Sequence, residues 1–180
     1  MTDEEKRPLS EFLPQLEVDR FALAGIALSH VQSVERIIHH VLIFVLNEDP
    51  WGMRILHAQT EVDRKRTLGY FLAQLRKRVG IREDLDAKLG SFLERRNTLA
   101  HRMQEIPGWE GKTAEAYMAS RRFLLGLTRD SHELLMLFAA LCLQWQRNAM
   151  PDAVLPHQDQ IDHLAKNYVT ELDDLFFRKV

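Results

Sequence analysis

The chain has 180 residues and carries 24 lysines and arginines against 26 aspartates and glutamates, a formal net charge of −2. Hydrophobic residues at 46% and charged residues at 28% suit one domain with its own core and exclude a disordered chain. The near-neutral balance also excludes a global basic field, so contact with a polyanion needs a local patch.

The longest apolar runs, residues 41–46 and 134–143, are too short to span a bilayer, and no membrane association is expected. Residues 1–10 are acidic and polar, without the apolar core of a signal segment. A cytoplasmic location is the expectation. The single cysteine, Cys142, lies between Leu141 and Leu143. It cannot form an internal disulfide and reads as a small buried hydrophobe rather than a nucleophile.

Residues 1–18 read as a flexible lead-in, because Pro8 and Pro14 oppose an early helix. Residues 19–180 read as one helical domain. Phe21, Ala24, Leu28, Val31, Val34, Ile38, Val41, Leu42 and Val45 recur at steps of three and four, which predicts one long amphipathic helix over residues 20–46. Asp19 is its expected cap, and the turn residues 47–52 end it. A second helix is expected over about 62–79, with Leu68, Phe71, Leu72 and Leu75 facing inward and Gly80 as its stop. A third, over about 82–104, carries Leu85, Leu89, Phe92, Leu93, Ala100 and Met103 and ends before Pro107-Gly108. A fourth runs from about Thr113 to about residue 148, with a weaker stretch at 126–130. Pro151 and Pro156 separate it from a last helix at about 158–178. No segment alternates with the period of two that a strand needs. The expected fold class is all-α: an antiparallel bundle of four to five helices, two long ones framing two shorter ones.

The third helix holds the segment Arg96-Asn97-Thr98-Leu99-Ala100-His101. Each helical residue turns about 100° around the axis. Asn97 and His101 therefore share a face with Glu94, while Arg96 diverges from His101 by about 140°. A long arginine side chain can bend back to the same groove, so that both approach one phosphate. Histidine exchanges protons near neutral pH, and arginine offers a fixed, forked cation to a charged phosphorane. Asn97 can orient the imidazole or bind a phosphate oxygen. Cleaving RNA without a metal requires a group that exchanges protons near neutral pH and a fixed cation at the phosphorane, which His101 and Arg96 can supply.

The segment resembles the HEPN family, helical bundles marked by an arginine, four to six residues and a histidine, often with an asparagine after the arginine. Thr67-Leu68-Gly69-Tyr70-Phe71-Leu72 and Leu89-Gly90-Ser91-Phe92-Leu93-Glu94-Arg95 are similar to a bacterial subgroup in which a Thr-Leu-Gly helix precedes the Arg-Asn helix. The resemblance implies a metal-independent endoribonuclease that needs no cofactor and leaves 2′,3′-cyclic phosphate and 5′-hydroxyl ends. Arg96 and His101 would be catalytic and Asn97 would support them. The site would form at a homodimer interface, in a toxin or phage-defence protein controlled by an antitoxin or another regulatory partner. A toxin subgroup carries a tyrosine two residues after the histidine, where a nucleotidyltransferase modifies it. Met103 stands there, so that modification is not expected.

A second reading makes the chain a non-catalytic dimerisation or interaction module. In it Arg96 pairs with a carboxylate, and Asn97 and His101 join a polar network that fixes helix register. Arg95, Arg102, Arg121 and Arg122, with the triplets Arg64-Lys65-Arg66 and Arg76-Lys77-Arg78, are candidate RNA contacts or ordinary solvated charges. The apolar breadth of residues 123–143 exceeds one core stripe, which suggests burial against a second copy. Gly108-Trp109-Glu110-Gly111-Lys112-Thr113 fails as a phosphate loop, because Ile106 replaces the required glycine and no strand precedes it. It reads as a loop with Thr113 as a cap. His30, His39 and His40, and separately His157, Asp159, Asp162 and His163, lack metal-ligand spacing. No metal site is expected.

Overall fold

The computed structural model describes residues 13–42, 68–149, 172 and 175–178. The turn at 47–52, the triplet at 64–66, the cluster from His157 to His163 and most of the expected last helix lie outside the described residues.

Steps of three and four build α1 (Leu13–His40), extended by a π-type turn at Val41 and Leu42. Ala24, Ala27, Val31, Val34, Ile38, Val41 and Leu42 form its buried stripe. The helix begins earlier than residue 19. Pro14 falls in the first turn, where a missing N–H costs no hydrogen bond, and Asp19 is interior, accepting from Gln15 Nε2 at 2.9 Å rather than capping. Two residues expected in the core are outside it: Phe21 is 62% and Leu28 39% exposed.

After the second helix, α2 (Leu68–Arg78), Gly80 does not serve as a left-handed stop. It lies in the short strand β1 (Val79–Ile81), which pairs antiparallel with β2 (Phe176–Arg178), Gly80 opposite Phe177. This three-residue ribbon corrects the expectation of no strand and of helix through residue 178. Its segments are too short to show an alternation.

Next comes α3 (Glu83–His101), which carries the Arg96–His101 segment. Its first turn holds Glu83, Asp84 and Asp86, charges favoured by the helix dipole. Asp84 accepts from Arg82 Nε and Nη2 at 2.7 and 2.8 Å and from the Leu85 N–H at 2.9 Å. The Arg82 guanidinium holds its carboxyl down at about 2. A 3-10 turn, Met103–Glu105, follows, and the chain reaches α4 (Ala114–Ala149, 36 residues) through the loop around Gly108. Thr113 Oγ1 accepts the Ala116 N–H at 3.2 Å, the expected cap. No break appears at residues 126–130. Leu124, Leu127, Ser131 and Leu134 continue one buried stripe, and Thr128 and Ser131 donate their hydroxyls to the carbonyls of Leu124 and Leu127.

The helices enclose a core centred on Phe92, Phe138, Leu89, Leu124 and Leu127, each worth about 1.5–3 kcal/mol of burial. Lys88 reaches Glu133, and Arg95 reaches Phe123 and Asp130, so α3 runs antiparallel to α4. Arg20 lies near Tyr117, whereas Glu35 is linked through α3 to the level of residues 123–130. The two long helices therefore run in the same direction, and an all-antiparallel bundle is not formed. Arg76 pairs with Asp86 at 2.6 Å, and Arg78 Nη1 donates to the Leu42 carbonyl at 2.6 Å. Two members of that basic triplet thus tie α2 to its neighbours.

Candidate active site

Arg96, Asn97 and His101 meet at the C-terminal end of α3. Arg96 Nη1 lies 3.2 Å from His101 Nε2 and donates to Asn97 Oδ1 at 3.1 Å. The long side chain closes the angular gap as the sequence suggested. Arginine is always a donor, so His101 Nε2 accepts in this arrangement and the ring proton sits on Nδ1. Asn97 does not orient the imidazole; it braces the guanidinium. Glu94, on the same face, is exposed.

A fourth member comes from α1. Glu35 Oε1 accepts from Arg96 Nε at 2.6 Å. The side chains are 17% exposed for Arg96 and 25% for Glu35, which places the pair at the edge of the core, while His101 is exposed. Glu35 binds the Nε edge of the guanidinium and leaves the terminal nitrogens toward His101. Sequence reasoning missed this residue, although a signal existed: Glu35 is the lone carboxylate in residues 20–46. It follows Val34, a member of the periodic apolar set, and an acid set so close to an apolar stripe needs a partner.

The other candidate arginines separate. Arg102 pairs with Glu105 at 3.2 Å. Arg95 points to α4, where it contacts Asp130 at 2.5 Å and the Phe123 carbonyl at 2.8 Å and covers the Phe123 ring at 5.2 Å. With Arg121, Arg122 and Arg129 it lines a groove of about 550 Å³. Neither Arg96 nor His101 belongs to that lining.

His39 stacks near Phe71 of α2, centroids 4.9 Å apart, and His40 Nδ1 lies 2.9 Å from the Arg36 carbonyl. Among the described residues no three His, Cys, Asp or Glu side chains are grouped to hold a metal ion, and no helix is long and apolar enough to cross a membrane. The apolar residues at 123–143 are buried or half-buried apart from Leu125. Exposed large apolar residues lie on α1, at Val18, Phe21, Ile26 and Leu28, and on α4, at Met118 and Leu125. No protein-family model matches the chain, and no curated protein or solved structure matches it.

Proposed function

We propose that the chain is a HEPN-like, metal-independent endoribonuclease acting as a homodimer, with Arg96 and His101 as its catalytic residues. The approach of Arg96 Nη1 to His101 Nε2 at 3.2 Å, with the guanidinium held by Glu35, carries this reading. A scissile phosphodiester at the terminal nitrogens of Arg96 would draw that donor away from His101 and free Nε2. The imidazole then takes the proton of the RNA 2′-hydroxyl. The 2′-oxygen attacks phosphorus, Arg96 stabilises the added charge, and the bond to the 5′-oxygen breaks. That oxygen leaves with a proton from the partner subunit's His101, which must enter the step as the imidazolium and leaves it neutral. The first imidazole becomes protonated in the same step, so the pair of histidines carries one proton throughout. The products are a 2′,3′-cyclic phosphate and a 5′-hydroxyl. Glu35 and Asn97 position the arginine.

Labelled structured and single-stranded RNA, incubated in EDTA with wild type and His101→Ala, tests the reading. Cleavage with cyclic phosphate ends, lost in the variant while its helical content is kept, is the expected result.

The Glu35–Arg96 ion pair also favours the second reading, a non-catalytic dimerisation or regulatory module whose polar network only fixes register. In that case neither protein cleaves RNA, and His101→Ala changes stability or partner binding alone.

A further inference from the structure

The groove between α3 and α4 lies outside the chemistry just described. Met118, Arg122, Leu125 and Arg129 are spaced four, three and four residues apart, which sets them in one stripe along α4. Met118 and Leu125, one heptad apart, are 47% and 40% exposed. Arg121 flanks the stripe on the same helix, and Arg95 rises at its edge from α3. Arg95 is fixed there by Asp130 and the Phe123 carbonyl. Arg121 and Arg122 are exposed and make no ion pair among the described residues.

We infer that this face docks an acidic amphipathic helix from a partner protein, independently of the ribonuclease reading. Alternating apolar and cationic positions at helical spacing match a helix that carries apolar residues in register with Met118 and Leu125 and carboxylates on either side. Met118 suits such a contact, because its unbranched side chain adapts to the surface it meets. A single strand of RNA is the poorer fit. It would use the arginines but not the aliphatic side chains, and its bases need aromatic faces on which to stack. Among the described residues no aromatic side chain lines the groove, and the neighbouring Phe123 ring is covered by Arg95. The chain as a whole is slightly acidic at −2, so attraction of an acidic partner is local to this face.

The test uses a fluorescein-labelled 15-residue peptide of alanine, leucine and glutamate, with two leucines seven positions apart and glutamates one turn to either side of each. Binding to the full chain is read by fluorescence anisotropy at low salt. The same peptide with lysine for glutamate and a 12-nucleotide oligouridine are run beside it. The acidic peptide should bind and the lysine peptide should not. Its affinity should fall at least tenfold in the double variant Arg122→Glu, Arg129→Glu, and at least tenfold in Leu125→Asp. All these positions are exposed or half-exposed, and far-UV circular dichroism confirms that each variant is folded. Three outcomes overturn the inference: no binding of the acidic peptide, binding insensitive to Leu125→Asp, or binding of oligouridine in its place with loss in the arginine double variant. The last would identify the groove as a nucleic-acid surface.

Discussion

Glu35 does at the site what neither Asn97 nor His101 can do, because among the described residues it supplies the only full negative charge in contact with the Arg96 guanidinium. Removing it leaves a half-buried cation without its counter-charge. Breaking a fully buried pair costs about 3–5 kcal/mol, and the partial exposure of both partners lowers the expected loss for Glu35→Ala to about 1–2 kcal/mol. The effect on RNA cleavage should be larger than stability explains. A misplaced guanidinium costs about a hundredfold in rate, whereas Glu35→Gln, which keeps an acceptor for Nε, should retain more activity than Glu35→Ala. Urea melts and cleavage rates on the same preparations separate the two effects. Arg96, Asn97 and His101 were legible because they lie within one helical segment. Glu35 was not, since its partner is 61 positions away in the chain and sequence spacing carries no information about which helices adjoin. Cys142 obeys the plainer rule. Burial pushes its thiol up to about 11, so at pH 8 it should react with a disulfide reagent roughly a hundredfold more slowly than in the urea-unfolded chain. The raised value also means that stability from the neutral thiol is complete below pH 9 and is lost as pH rises from 9 through 11.

At the scale of elements, the helical period predicted α1 through α4 well, and the errors fell where tertiary contacts outweigh local signals. Gly126 is the clearest case. A glycine within a helix costs about 1 kcal/mol relative to alanine, which is why residues 126–130 read as a weak stretch. The helix persists because Leu124 and Leu127 on either side of Gly126 are fully buried. The glycine has a packing reason as well: a Cβ there would meet Arg95 Nη2 at 2.7 Å. The obstructing atom is the end of a flexible side chain, so Gly126→Ala should fold. Its gain in helix propensity is offset by displacement of Arg95 from Asp130 and Phe123. In the Arg95→Ala background that conflict disappears, and Gly126→Ala should stabilise the chain by the full amount of about 1 kcal/mol. Urea denaturation of the two single variants and the double variant measures the coupling. Gly80 failed as a helix stop for a similar reason. Its pairing partner, Phe177, is distant in sequence, and a ladder of three residues leaves no periodic trace.

The arrangement of the whole molecule bears on whether the site is complete in one chain. Arg96 and His101 already touch within a single protomer, so a dimer is not needed to bring these two groups together. It is needed, in the proposed reaction, for a second proton: one imidazole accepts from the 2′-hydroxyl while another donates to the departing 5′-oxygen. The exposed apolar residues Phe21 and Leu28 lie on α1, the helix that also supplies Glu35. A second copy seated there would approach the site rather than the outer face of α4. In a two-fold dimer the two motifs would face each other and contribute equally. Wild type and His101→Ala, mixed at constant total concentration and allowed to exchange subunits, distinguish the cases. If each cleavage event needs both histidines, activity follows the square of the wild-type fraction and falls to about a quarter in an equal mixture. If one motif suffices, activity falls to about a half. The proposed division of acid and base between subunits requires the quadratic course, and a linear one would assign both proton transfers to a single chain.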